Sequence, residues 1–362
     1  MKIVFVSQPL STGGAERVVA ALANKFYEMG NEVRIVVVDN GDQNVYYTHP
    51  DIEFVHIEKP KNPIIDLLYR AKKMRHYFNE YKPDVIIPFT TQKNVSTLLA
   101  TLFSNHKVIA CERNNPASDP TNKLLRLLRV LLFWTAEGYV FQTNEARAYF
   151  SKRIQDKSVV IPNPIKQDLI QPWEGTPEKR IVMASRLNAQ KNIEMAINAM
   201  EIVAKKFPDY TLEIYGKSYQ GLYEYENMLK SMVHDKGLES VVLFKGFLPN
   251  VDEQIKTARA FLITSNHEGM SNSLMEAMAL GLPCISTDDP NGGARALIKD
   301  HENGILIPVG DTHKCIDALE EILSDSELAN SISSNAMGIR DELSIDKVSE
   351  QWMNYINTVV YR

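Results

Sequence analysis

The sequence predicts an α/β protein built from two doubly wound parallel-sheet domains, and three observations predict it. The chain has 362 residues, whereas single cores stop growing near ~250–300 residues, so two cores are expected. Short Val/Ile-rich runs alternate with longer segments of helical period, the pattern of parallel strands covered on both faces by helices. Both periodicities break between Ile161-Pro162-Asn163-Pro164 and Trp173-Glu174-Gly175-Thr176-Pro177, where three prolines and a glycine mark a seam.

The elements follow in order. Residues 2–7 read as a buried first strand, since the apolar run before Ser7 is four residues long, too short for the core of a secretion signal. Gly13 and Gly14 then turn the chain into an amphipathic helix running to about Met29. Further strands are expected at 32–38, 85–88, 107–111 and 138–142. Residues 61–82 set Ile64, Ile65, Leu67, Leu68, Tyr69, Met74, Tyr77 and Phe78 at helical spacing beside Lys61, Arg70, Lys72, Lys73, Arg75 and Lys82. Residues 123–134 carry Lys123, Arg126 and Arg129 among nine apolar residues and no acid. The second half repeats the alternation with strands at 180–185, 211–215, 241–244, 260–264, 283–286 and 305–307. Ser271 or Asn272 caps a helix that Gly281 ends.

Composition narrows the class. With 44% hydrophobic and 23% charged residues the chain is globular, neither disordered nor fibrous. No uninterrupted apolar run approaches the ~20 residues of a membrane span; the nearest candidate, 130–134, has five. Cys111, Cys284 and Cys315 are far apart, odd in number and without zinc-site spacing, which fits the reduced thiols of a cytoplasmic protein. The net charge of −5 divides unevenly. Residues 1–165 hold 21 Lys and Arg against 16 Asp and Glu, a net of +5, and residues 166–362 hold 19 against 29, a net of −10. Two halves of opposite sign point to different partners.

Ligands of doubly wound sheets bind at the carboxyl ends of the strands, so the chemistry is sought in the loops there. Gly13 and Gly14 form either a plain tight turn or a backbone that an anion approaches closely. Their spacing matches neither a G-x-G-x-x-G dinucleotide fingerprint nor a phosphate loop. Past strand 180–185, Arg186 and Lys191 stand five residues apart, either as two solvated cations or as a pair converging on a phosphate. Past strand 260–264, Glu268 lies in a loop and Glu276 two turns along a helix, with Gly269, Met270, Ser271, Asn272, Ser273 and Leu274 between. Singly, each glutamate reads as solvated. Together they flank a helix N-terminus able to hold an anion, with carboxylates for hydroxyl groups, a layout suited to a nucleotide sugar.

Gly13-Gly14-Ala15-Glu16, the Arg186/Lys191 pair, the Glu268/Glu276 pair and Ala277-Met278-Ala279-Leu280-Gly281-Leu282-Pro283 resemble, in order and across nearly the whole chain, the retaining GT-B glycosyltransferases of family GT4. Ser11 with Gly13-Gly14-Ala15-Glu16-Arg17, Glu112-Arg113-Asn114-Asn115 and Arg186-Leu187-Asn188 with Lys191-Asn192 narrow the similarity. They resemble bacterial transferases of the PglH type, which extend polyprenyl-diphosphate-linked oligosaccharides. The resemblance implies a GT-B fold of two facing Rossmann-like domains with an interdomain cleft. The expected division is an acceptor-binding domain over 1–165, a nucleotide-sugar domain over 166–345, and a helix over 346–362 packing back on the first domain. It implies a UDP-sugar donor whose leaving diphosphate Arg186 and Lys191 neutralise, stabilising charge as it develops. Glu268 would hold sugar hydroxyls, Glu276 the ribose, and residues 269–274 would present backbone amides. Gly14 would approach the diphosphate from the other domain, and the base would lie against Phe247 and Leu248.

Many relatives place a histidine near the reacting sugar in the first domain; the corresponding strand end here reads Cys111-Glu112-Arg113-Asn114. Arg113 cannot act as a base. Glu112 either orients the acceptor or pairs with Arg113. No D-x-D triplet occurs, so no metal and no cofactor is expected, the two cations standing in for a metal.

The two basic segments read either as helices with a solvated face or as an acceptor and membrane surface. Arg70, Lys72, Lys73, Arg75, Arg113, Lys123, Arg126 and Arg129 would meet anionic lipid or a lipid diphosphate. The expected protein is a cytoplasmic enzyme held peripherally at the inner membrane face, moving a hexose or N-acetylhexosamine onto a lipid-linked glycan. A UDP-sugar epimerase on the same scaffold and a non-catalytic nucleotide-sugar-binding subunit remain as alternatives, which product analysis separates. No recognised nucleic-acid module is present, so nucleic acid is not an expected partner.

Overall fold

The structure, a computed structural model, describes residues 1–11, 13–38, 46–58, 60, 65–218 and 223–362. The chain divides into two compact units, Met1–Gln167 with Leu343–Arg362, and Asp168–Glu342.

The first unit contains β1 (Lys2–Ser7), β2 (Glu32–Val37), β3 (Glu53–His56), β4 (Val85–Pro88), β5 (Ile109–Cys111), β6 (Gly138–Phe141) and β7 (Ser158–Val160). They form parallel sheets in the orders β3-β2-β1-β4 and β5-β6-β7, linked by the parallel bridges Ile86–Val108 and Phe89–Cys111. Alternation along β1 covers both faces. Ile3 and Phe5 pack with Val18, Leu22 and Phe26 of α1 (Gly14–Glu28) and with Val348, Trp352 and Ile356 of the helix Ile345–Val360. Val4 and Val6 pack with Met74 and Phe78 of α2 (Asp66–Tyr81) and with Val95 and Leu98 of α3 (Thr91–Thr101). This two-sided burial explains why the strands are continuously apolar. α4 (Lys123–Leu132) packs on α3.

The second unit holds one parallel sheet, β10-β9-β8-β11-β12-β13. Its strands are β8 (Glu178–Ala184), β9 (Thr211–Tyr215), β10 (Val242–Gly246), β11 (Ala258–Ile263), β12 (Cys284–Asp288) and β13 (Ile305–Pro308). Register pairs Ile181 with Leu212 on one side and Val182 with Phe261 on the other. Both units therefore grow outward from a central strand, β1 or β8. The chain reverses direction across the sheet between β1 and β4, and between β8 and β11, and the loops at such switch points are where ligands bind.

This parallel α/β architecture is the one the sequence predicts, with two omissions. β3 is a half-exposed edge strand of four residues and β7 has only three, too short to show a periodicity. The helix expected over 61–82 is described from Asp66; Lys61 and Ile64 lie outside the described residues. No helix among the described residues is long and apolar enough to cross a membrane.

Candidate functional site

In the second unit, the switch point brings the loop after β8 against the loop after β11. Thr264 donates its Oγ1–H to the Lys191 carbonyl at 3.0 Å, Gln190 donates Nε2–H to the His267 carbonyl at 2.7 Å, and Asn266 donates Nδ2–H to the Ala189 carbonyl at 3.1 Å. These bonds bring the Lys191 ammonium into direct contact with the Glu268 carboxylate, in an ion pair whose side chains are 12% and 17% exposed. Ser265 Oγ–H also donates to Glu268 Oε1, at 2.9 Å. Arg186 opens the same loop, exposed.

Beside the pair is a small recess lined by Ser185, Lys191, Thr264, Ser265 and Ser273 around Leu262 and Ile263. Ser185 Oγ is buried without a hydrogen-bond partner. Ser273, in the first turn of the helix Asn272–Ala279, lines this recess, and the N-cap Ser271 makes no side-chain cap, which leaves that helix start without a side-chain acceptor at its N-cap. Glu276 lies one turn further along, half-buried.

Two glycines permit the arrangement. A Cβ on Gly216, at φ +145°, would stand 1.8 Å from the Ser185 carbonyl oxygen, and one on Gly293 would stand 1.9 Å from that of Gly269. The end of β12 and the loop after it brace the second. Asn291 donates Nδ2–H to the Glu268 carbonyl at 2.7 Å, and Thr287 donates Oγ1–H to the Ser265 carbonyl at 2.7 Å. Buried Asp289 accepts from the Asn291 N–H at 2.9 Å, and burial raises its carboxyl above the ordinary value. Sequence reasoning missed Ser265, Thr287, Asp289, Asn291 and Gly293; only the glycine carried a visible signal. Phe247 and Leu248, after β10, are exposed, and the Lys217 ammonium lies 5.0 Å from the Phe247 ring centre.

The first unit departs from several expectations. Gly14 opens α1, but a Cβ on the preceding Gly13 would fall 1.8 Å from Glu16 Oε2. The chain's own Glu16 carboxylate thus lies beside that helix N-terminus. Glu112 is 2% exposed, accepting from Thr91 Oγ1–H at 2.7 Å and facing Arg129 rather than Arg113. Burial lifts its carboxyl to about 7.

Three of the cations expected on a membrane or acceptor surface are buried instead. Arg70 pairs with Asp66 on its own helix. The Arg113 guanidinium lies over the Phe89 ring at 4.4 Å. Arg129 donates to the Asp119 and Pro116 carbonyls, both at 2.7 Å. Arg75 is half-buried and donates to the Leu102 carbonyl at 2.7 Å. Lys72, Lys73, Lys123 and Arg126 are exposed. The three cysteines are buried and unbridged. No cluster of three His, Cys, Asp or Glu side chains able to hold a metal occurs among the described residues.

Comparison with known proteins gives this geometry a lineage. The family model for glycosyltransferase family 4 matches residues 12–169, and that for glycosyl transferases group 1 matches residues 166–338. The chain is 24% identical to an uncharacterised glycosyltransferase of Haemophilus influenzae, over 96% of this chain and 97% of that one. It is 25% identical, over 99% of both chains, to a Campylobacter jejuni α-1,4-N-acetylgalactosaminyltransferase whose name specifies an undecaprenyl-diphosphate-linked GalNAc acceptor. Its fold is similar to that of Anabaena HepE in complex with UDP, with a TM-score of 0.83 at 18% identity and 99% and 100% of the two chains covered. Sucrose-phosphate synthase of Thermosynechococcus elongatus gives 0.85 at 18%, with 99% and 98% covered. With one family model on each half, the chain belongs to the GT4-type glycosyltransferases of GT-B fold.

Proposed function

We propose that the protein is a retaining, metal-independent transferase moving a hexose or N-acetylhexosamine from a UDP-sugar to a glycan carried on a lipid diphosphate, at a membrane surface. The observation that carries this reading is the Lys191–Glu268 contact at the second unit's switch point, beside a small recess that Lys191 lines together with Ser273 of a helix's first turn. The UDP held by the HepE structure and the acceptor named for the Campylobacter relative support it.

Without donor, Glu268 neutralises Lys191. An entering diphosphate competes for the ammonium with two negative charges, freeing the Glu268 carboxylate to accept hydrogen bonds from sugar hydroxyls. Lys191, with Arg186 and the amides of residues 272–274, then opposes the charge that grows on the departing diphosphate, which lowers the barrier more than it tightens ground-state binding. Glu276 takes the ribose, and Phe247 and Leu248 offer an apolar face to the base. The two cations supply the positive charge that a divalent metal supplies elsewhere.

The test is nucleotide release from UDP-sugars with and without a polyprenyl-diphosphate glycan. Lys191→Ala is expected to lose at least about 100-fold in kcat/KM, the scale of removing one charge-stabilising donor, and Glu276→Ala to raise the KM for the UDP-sugar through its lost ribose contact. Wild-type rates in both variants would overturn the site. Activity unchanged in EDTA and an anomeric configuration preserved in the product test the two remaining claims.

A further inference from the structure

Arg113 is a buried cation without a counter-charge. It is 6% exposed, and among the described residues no carboxylate stands within ion-pair distance of it. Glu112, its neighbour in sequence, faces Arg129 instead. Burial holds the Cys111 thiol at about 12, so the sulfur beside the guanidinium stays neutral. Nη1 donates to Asn163 Oδ1 at 3.3 Å, an oxygen that Gln142 also reaches through Nε2–H at 2.8 Å. The other edge of the guanidinium, Nε with Nη2, is closed off from solvent and meets no protein acceptor.

The surroundings of that edge are aromatic and short of acceptors. The guanidinium carbon lies 4.4 Å from the Phe89 ring centre and 5.3 Å from that of Trp352. Trp352 is fully buried, and its Nε1–H also meets no acceptor; nor has the buried Ser349 Oγ a partner, one turn earlier on the same helix. Taking a charge out of water is costly unless the charge is both paired and hydrogen-bonded. Water accepts two hydrogen bonds and brings no charge. Three donor atoms and an unpaired positive charge ask for more than that, and a halide ion, which accepts from every side, supplies both. The donors are out of contact with solvent, so the ion is small enough to be enclosed, as a lipid diphosphate is not.

We infer that a chloride ion binds between the Nε and Nη2 edge of Arg113 and the indole N–H of Trp352, as a buried part of the first unit. It neutralises Arg113 and ties the helix Ile345–Val360 to the strand ends at Cys111 and Phe89. Burial already pushes the arginine towards losing its proton, and an adjacent anion opposes that push. The site lies in the first unit and is independent of the nucleotide-sugar reading of the second.

The full chain is melted in buffers of constant ionic strength in which sodium chloride replaces sodium gluconate up to about 0.2 M. The expected result is a saturable rise in melting temperature, roughly 3–5 °C at about ten times the half-saturating chloride concentration, which bromide reproduces and phosphate does not. Arg113→Met is expected to melt at one temperature whatever the chloride concentration. Trp352→Phe keeps a packed ring and removes the N–H, so its half-saturating concentration is expected to rise about fivefold, the worth of one hydrogen bond. Crystals grown in bromide are expected to show an anomalous scatterer between the guanidinium and the indole. Equal melting in chloride and gluconate, which means that water alone meets these donors, overturns the inference. A wild-type chloride response in Arg113→Met does so too, as does stabilisation by phosphate in place of chloride. Should Arg113→Met not fold, an unshifted half-saturation in Trp352→Phe overturns it by itself.

Discussion

Arg129 and Glu112 form an ion pair with Nη1 3.6 Å from Oε2, their side chains 2% and 1% exposed. Removing one partner strands a buried charge. Arg129→Met also deprives the Pro116 and Asp119 carbonyls of their donor. It is expected to destabilise the first unit by roughly 3–5 kcal/mol, read by urea unfolding.

The same pair sets a pH dependence. Burial lifts the Glu112 carboxyl to about 7 against an ordinary 4.5, despite the nearby guanidinium. Between those values the folded chain binds more protons than the unfolded chain. The residue's contribution to stability is therefore full below pH 4.5 and is lost as pH rises through 7. Glu112→Gln flattens this part of the stability profile, and an unchanged slope in denaturant titrations across the window would refute the assignment.

Gly293 approaches the Gly269 carbonyl so closely that a methyl group cannot be accommodated by rotating any side chain. Gly293→Ala must displace the Glu268 loop itself. Donor-dependent nucleotide release is expected to fall by at least about tenfold, the cost of a misplaced site, while the sheet stays folded by circular dichroism.

Asn291 acts on the same loop by a hydrogen bond. Asn291→Ala leaves the Glu268 carbonyl without that donor, a loss of about 1 kcal/mol in ordering the loop. The expected outcome is a roughly fivefold rise in the KM for the UDP-sugar, with the acceptor KM unmoved. Equal changes in both would mean general damage.

Trp352 is fully buried, with its ring 6.0 Å from that of Phe89. Trp352→Ala is expected to cost roughly 3–5 kcal/mol. Thermal melts of the full chain measure it.

What could be read beforehand follows a physical rule. β1, β4 and β11 are buried almost throughout and β8 over Ile181–Met183, so their apolar runs stand out, and the Lys191 and Glu268 loops were located by following those strands. Asn291 and Thr287 were invisible because a loop amide or hydroxyl gains meaning only from the carbonyl that it meets. The cations failed for a related reason. In α4, leucines at 124, 125, 127, 128, 131 and 132 make two apolar stripes, and helical spacing alone cannot say which stripe the protein keeps. Arg70, Arg113 and Arg129 look like surface charge in one dimension, yet each is buried against partners supplied by the fold.

The closing helix Ile345–Val360 has a consequence for synthesis. Residues 168–342 form one unit from a continuous stretch, whereas the other unit lacks Val348, Trp352 and Ile356 from its core until residues 343–362 emerge. The part translated second is the first able to finish folding on the ribosome. The part translated first waits with one flank of α1 uncovered, so its apolar surface stays exposed longer during synthesis.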